Sequence, residues 1–142
     1  MSEYIKKSLN NFESAELLFE NGKYSSSIHC VYYSTYQLIL YILKYKLNSE
    51  WNSFQEKKYA ESLNNKKNPK EDSHNLTISF IKENITTTNE VFGRLFDSKI
   101  GILKHQRHTA DYKENAIDMK TATNSLDLSK RINDELIKHF AL

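Results

Sequence analysis

An all-α fold, an up-and-down bundle of about five helices, is what the sequence predicts, on three observations. Apolar residues recur at three- and four-residue steps through long stretches, the spacing of one face of an amphipathic helix. Only three Gly and one Pro occur in 142 residues, whereas a β-rich domain needs many tight turns built on those residues. Seven Phe and nine Tyr, in a chain that is 39% hydrophobic, supply material for a core. A chain of this length buries roughly two-thirds of the surface it exposes when unfolded. A single domain over 1–142 is expected, with no internal repeat and no compositional boundary.

Ser2 is placed to cap the first helix, with Glu3 in its first turn. Ile5, Leu9, Phe12, Ala15, Leu18 and Phe19 form its apolar face, and Asn21-Gly22 ends it, because Gly tolerates the left-handed conformation of a C-terminal cap. A second helix is expected over about 24–47. Ile28, Val31, Tyr32, Thr35, Leu38, Ile39 and Ile42 make one stripe, and Tyr33, Tyr36, Leu40, Leu43 and Leu47 widen it almost all round. A helix that apolar is central, or covered by a partner as well as by its own core. Trp51, Phe54, Tyr59 and Leu63 anchor a short helix, and the polar stretch 64–72 around Pro69 reads as a mobile loop. Asp72 or Ser73 can cap the next helix, which carries Leu76, Ile78, Phe80 and Ile81.

Thr87 and Glu90 have the spacing of a capping box. The helix they open carries Val91, Phe92, Leu95, Phe96, Ile100 and Leu103, with Gly93 and Gly101 as marks of close helix packing. After a break near 112–118, the last helix presents Ala122, Leu126, Ser129, Ile132, Leu136 and Phe140 on one face.

With 20 basic and 18 acidic residues, the net charge of +2 gives no independent pull toward DNA or an anionic membrane. A lone cysteine, Cys30, excludes an internal disulfide and a cysteine zinc site. The longest apolar stretch, Leu38 to Leu43, falls far short of the ~20 residues of a membrane span. Residues 1–7 lack the pattern of a signal peptide, so a cytoplasmic location is expected. Gly-rich phosphate loops, His-Glu-x-x-His and Gly-x-Ser-x-Gly are missing, and no set of metal ligands converges. No cofactor or metal is expected.

Polar chemistry concentrates in Lys104-His105-Gln106-Arg107-His108-Thr109-Ala110-Asp111-Tyr112. His105, Arg107, His108, Asp111 and Tyr112 can bind ligands or move protons. Arg107 and Asp111, four apart, share a helix face. The plainer reading is an intrahelical ion pair, with Tyr112 a core aromatic whose hydroxyl reaches the surface. His29 and His74 read as structural, and Tyr32, Tyr33, Tyr36, Tyr41 and Tyr45 as core and interface rather than a base-stacking platform.

Several segments, in order, resemble the HEPN family of small helical-bundle domains. Ala15-Glu16-Leu17-Leu18 through Gly22-Lys23-Tyr24-Ser25-Ser26-Ser27 is similar to the family's first helix and Gly-x-Tyr turn. Val31-Tyr32-Tyr33-Ser34-Thr35-Tyr36-Gln37 is similar to its paired-aromatic second helix, and Ser73-His74-Asn75 to its short His-containing middle start. Arg107-His108-Thr109-Ala110-Asp111-Tyr112 resembles its Arg-x-x-Ala-Asp-Tyr segment.

The resemblance implies a homodimer. Many members are metal-independent ribonucleases that serve as toxins or abortive-infection effectors. Others pair with a small nucleotidyltransferase, or bind nucleotides or proteins without cleaving. Catalytic members place a His after Arg and four to six intervening residues, where this chain has Tyr112, Lys113 and Glu114.

The expectation is therefore a dimeric binding or regulatory module, for a partner protein, a nucleotide or RNA, in a toxin–antitoxin or defence system. Asp111, Tyr33 and His74 would belong to its binding or structural cluster. The alternatives are a ribonuclease using Arg107 with His108, His105 or Tyr112, and a purely structural bundle.

Overall fold

The computed structural model describes residues 1–64 and 73–142. Among these are six helices and no strand: α1 (Glu3–Glu20), α2 (Tyr24–Tyr45), α3 (Asn48–Asn64), α4 (Ser73–Thr88), α5 (Glu90–Tyr112) and α6 (Met119–His139). The protein is an all-α bundle. The helix count exceeds the expected five because the segment after α2 is not a short anchor but a helix of 17 residues. Of the four residues expected to hold it down, Trp51 and Phe54 do so, their rings 5.1 and 5.0 Å from Phe80. Tyr59 and Leu63 point to solvent. The loop expected over 64–72 lies outside the described residues except for Asn64, where α3 ends.

Several boundaries follow from local chemistry. Ser2 caps α1 by accepting a hydrogen bond from the Tyr4 amide. Gly22, at φ +71, closes the helix. Its amide donates to the Phe19 carbonyl and that of Lys23 to Leu18, the paired bonds of a Schellman ending. The capping box at Thr87 does not form. Thr87 Oγ1 donates back to the Asn84 carbonyl and so belongs to the last turn of α4. Asn89 caps α5 instead, its side chain accepting from the Phe92 amide.

Helix directions can be read from pairs of contacts. Ser8 meets Ser34 and Ala15 meets Ser27, so α1 and α2 are antiparallel. Val31 meets Ser129 and Ser34 meets Asn133, so α6 runs parallel to α2. Lys82 pairs with Asp97 and Lys104 with Asn75, which makes α4 and α5 antiparallel. Since α5 also opposes α2, through Asp111 on His29 and Arg107 on Tyr32, α4 runs in the same sense as α2.

The central position of α2 follows from its composition. Ile28, Val31, Tyr32, Ile39 and Ile42 are fully buried, joined by Ile81 and Ile85 of α4, Phe96 and Leu103 of α5, and Ile132 and Leu136 of α6. Thr35 and Ser129, which sit on apolar stripes, are also buried. Thr35 Oγ1 lies 2.7 Å from Ser129 Oγ and donates to Asn133 Oδ1 at 2.8 Å. Each polar group therefore has a partner, and the ladder sets the register of α2 against α6. Val91 and Leu95, expected on the core face of α5, are 72% and 49% exposed.

The glycines of α5 differ. At Gly93 an added Cβ would lie 2.9 Å from the Thr86 Cα, so α4 and α5 touch there as expected. At Gly101 an added Cβ meets nothing, and this glycine marks no helix contact among the described residues. No helix among the described residues is long and apolar enough to cross a membrane.

Candidate functional site

The buried stripe of α5 runs through Phe92, Phe96, Ile100 and Leu103, and its next member, one turn on, is Arg107. Helical period thus carries a cation into a position where an apolar residue is the rule. Arg107 is 9% exposed. Its guanidinium lies over the ring of Tyr32 at 4.8 Å and near that of Tyr112 at 5.9 Å, within range of cation–π attraction. Nη1 is 3.6 Å from Asp111 Oδ2, an ion pair rather than a good hydrogen bond. Nε is buried and has no hydrogen-bond partner among the described residues.

Asp111 faces the other way as well. Its two oxygens are 2.9 and 3.1 Å from His29 Nδ1, across from α5 to α2. Ionised Asp111 only accepts, so Nδ1 carries the hydrogen. The imidazole of His29 leans on Tyr33, centroids 4.8 Å apart. Further in, the Tyr32 hydroxyl is 2.8 Å from His74 Nδ1, and His74 stacks on Tyr36 at 4.0 Å with the rings 9° apart. The stretch of α2 from His29 to Tyr36, the first turn of α4 and the end of α5 therefore meet in one cluster of an arginine, a carboxylate, two histidines and four tyrosines, Tyr32, Tyr33, Tyr36 and Tyr112. Burial alone would lower the pKa of Arg107, but Tyr32, Tyr33, Asp111 and Tyr112 outweigh it and hold the value above the ordinary one. Burial, and then the Asp111 charge, push the Cys30 thiol up, so it is not activated as a nucleophile.

The residues singled out from the sequence are distributed unevenly over it. Arg107 and Asp111 form the expected pair, and Tyr33 and His74 join the same cluster. Tyr112 is 67% exposed, with its ring rather than its hydroxyl turned to Arg107. It is therefore not the core aromatic of the plainer reading. His108 is exposed and its ring lies 5.1 Å from that of Tyr112. His105, two residues before Arg107, lies roughly 200° around the helix from it. It is exposed and has no hydrogen bond or ring contact among the described residues. The histidine that shares a carboxylate with Arg107 is His29, which sequence reasoning assigned to structure. Its position at the start of the α2 tyrosine series was visible, but its pairing with a residue 82 positions away was not.

Chemically, the cluster offers a fixed cation under aromatic rings and an imidazole oriented by a carboxylate. Among the described residues, no group of three or more His, Cys, Asp or Glu side chains could hold a metal ion. The chain matches no protein-family model, no curated protein and no solved structure.

Proposed function

We propose that this protein is a HEPN-like binding or regulatory module that acts as a homodimer in the cytoplasm and engages a partner protein, a nucleotide or RNA beside Arg107. The observation that carries the reading is the buried Nε of Arg107, which has no hydrogen-bond partner among the described residues. Leaving a buried donor unsatisfied costs about 1–3 kcal/mol; the ion pair with Asp111 and the ring of Tyr32 offset that cost within the fold, and a ligand that accepts from Nε would remove it. The exposed rim of His29, His108 and Tyr112 supplies hydrogen-bonding and stacking groups around it. A toxin–antitoxin or defence role, with a nucleotidyltransferase-type partner, comes from the family resemblance alone.

The test is fluorescence polarisation with a labelled single-stranded RNA and a labelled ATP, beside light scattering. Wild type should bind one of these probes as a particle of about twice 16.7 kDa. Arg107→Lys keeps the charge but loses the planar fork over Tyr32, and should weaken binding by about tenfold with the fold intact. A 16.7 kDa particle, or binding indifferent to Arg107→Lys, would remove the support for this reading.

Two other readings each have an observation in their favour. The burial of Arg107 and its ion pair with Asp111 favour a structural tie between α5 and α2. For a ribonuclease, the favourable feature is His29, whose imidazole is oriented by Asp111 as a general base would need to be. Incubation of tRNA and single-stranded RNA with the protein in EDTA separates them. Cleavage lost in both Arg107→Ala and His29→Ala would favour the nuclease, with His105 and His108 tested next.

A further inference from the structure

We propose that a trough on the opposite side of the bundle receives an amphipathic helix of a partner protein, with an apolar stripe and a basic edge. The trough has α1 and α6 as walls and α2 as floor, and encloses about 560 Å³. It follows α1 from Ile5 to Glu16, three turns or roughly 16 Å at helical rise. A trough lined along three turns of α1 fits a helix better than a compact small molecule. Its walls carry Leu9 and Ile137, 54% and 42% exposed, and its floor carries Leu38 and Tyr41.

The polar atoms at the bottom are already satisfied. Ser8 Oγ donates to the Ser34 carbonyl at 2.7 Å, and Asn133 Nδ2 to Ser34 Oγ at 3.3 Å. Apolar anchors spaced three and four apart are therefore what the trough accepts. Charge sets the orientation. Glu13 and Glu16, one turn apart on the α1 rim, are exposed and have no ion pair among the described residues. Across the trough, Lys130 is engaged by Asp134 at 3.3 Å. The α1 rim is thus acidic and unpaired, and the occupant's Lys or Arg row lies over it. The trough shares no residue with the Arg107 cluster, and the inference does not rest on the function proposed above.

The probe is a fluorescein-labelled synthetic helix of about 16 residues, with Leu at helical spacing and Lys along one edge. A matched peptide carries Glu in place of Lys. The full chain should bind the Lys peptide about tenfold more tightly than the Glu peptide, the scale of two exposed ion pairs. The double variant Glu13→Lys, Glu16→Lys should reverse that preference. Leu9→Asp, at a half-exposed position, should abolish binding of both, with an unchanged circular dichroism spectrum. Absence of binding, equal binding of the two peptides, or a preference unmoved by the charge reversal would each overturn the proposal. So would a wild-type dimer that Leu9→Asp converts to monomer, since a second copy would then fill the trough.

Discussion

At the scale of single residues, Arg107 holds α5 to α2 through Tyr32 and, by way of Asp111, through His29. Replacing it by Met keeps much of the volume and removes the charge, leaving Asp111 to His29 alone. Breaking a fully buried pair costs about 3–5 kcal/mol. Because the Asp111 side chain is 19% exposed and keeps one partner, a loss of roughly 2 kcal/mol is expected in urea unfolding. No loss would mean that the ion pair contributes nothing to the fold. Asp118, the cap of α6, gives a second expectation. Hydrogen bonds from Thr121 hold its pKa below the ordinary carboxylate value. A carboxyl group depressed by folding stabilises above its unfolded pKa, and that contribution is lost as pH falls through the folded value. Melting temperature should therefore drop between about pH 5 and about pH 2, and Asp118→Asn should drop less over the same window. Equal drops would assign the acid sensitivity to other carboxylates.

At the scale of elements, the two glycines of α5 make opposite forecasts. Gly93→Ala forces a methyl against the Thr86 backbone where α4 and α5 meet, and should destabilise by about 1–3 kcal/mol. Gly101→Ala adds a methyl into open space on a helix, and should stabilise by about 0.5–1 kcal/mol, because Ala loses less backbone entropy than Gly. Denaturant midpoints of the two variants check both signs. A destabilising Gly101→Ala would point to a contact made at that face by another molecule.

At the scale of the whole molecule, stability should be graded outward from α2. That helix contributes the largest share of fully buried side chains, whereas α3 has none among its described side chains, puts Trp51 and Phe54 against Phe80 and leaves Tyr59 and Leu63 exposed. Local opening follows the number of buried apolar contacts. Amide hydrogen exchange should therefore be slowest through the middle of α2 and fastest in α3. Equal protection in the two helices would show that α3 is held by contacts beyond these rings.

What the sequence determined by itself is local. The three- and four-residue spacing of Ile28, Val31, Tyr32, Thr35, Leu38 and Ile42 depends only on neighbours one turn away, so the burial of α2 was legible. The same holds for the Gly22 ending of α1 and for the i, i+4 pair of Arg107 and Asp111. Even the burial of Arg107 was encoded, since residue 107 continues the stripe of Phe96, Ile100 and Leu103. The tertiary structure decided what meets what across helices. It set His29 on Asp111 and His74 on Tyr32 and Tyr36, left His105 and His108 at the surface, and opened the trough between α1 and α6. Those outcomes depend on the direction, register and packing of helices far apart in the chain, and helical periodicity carries no information about any of the three.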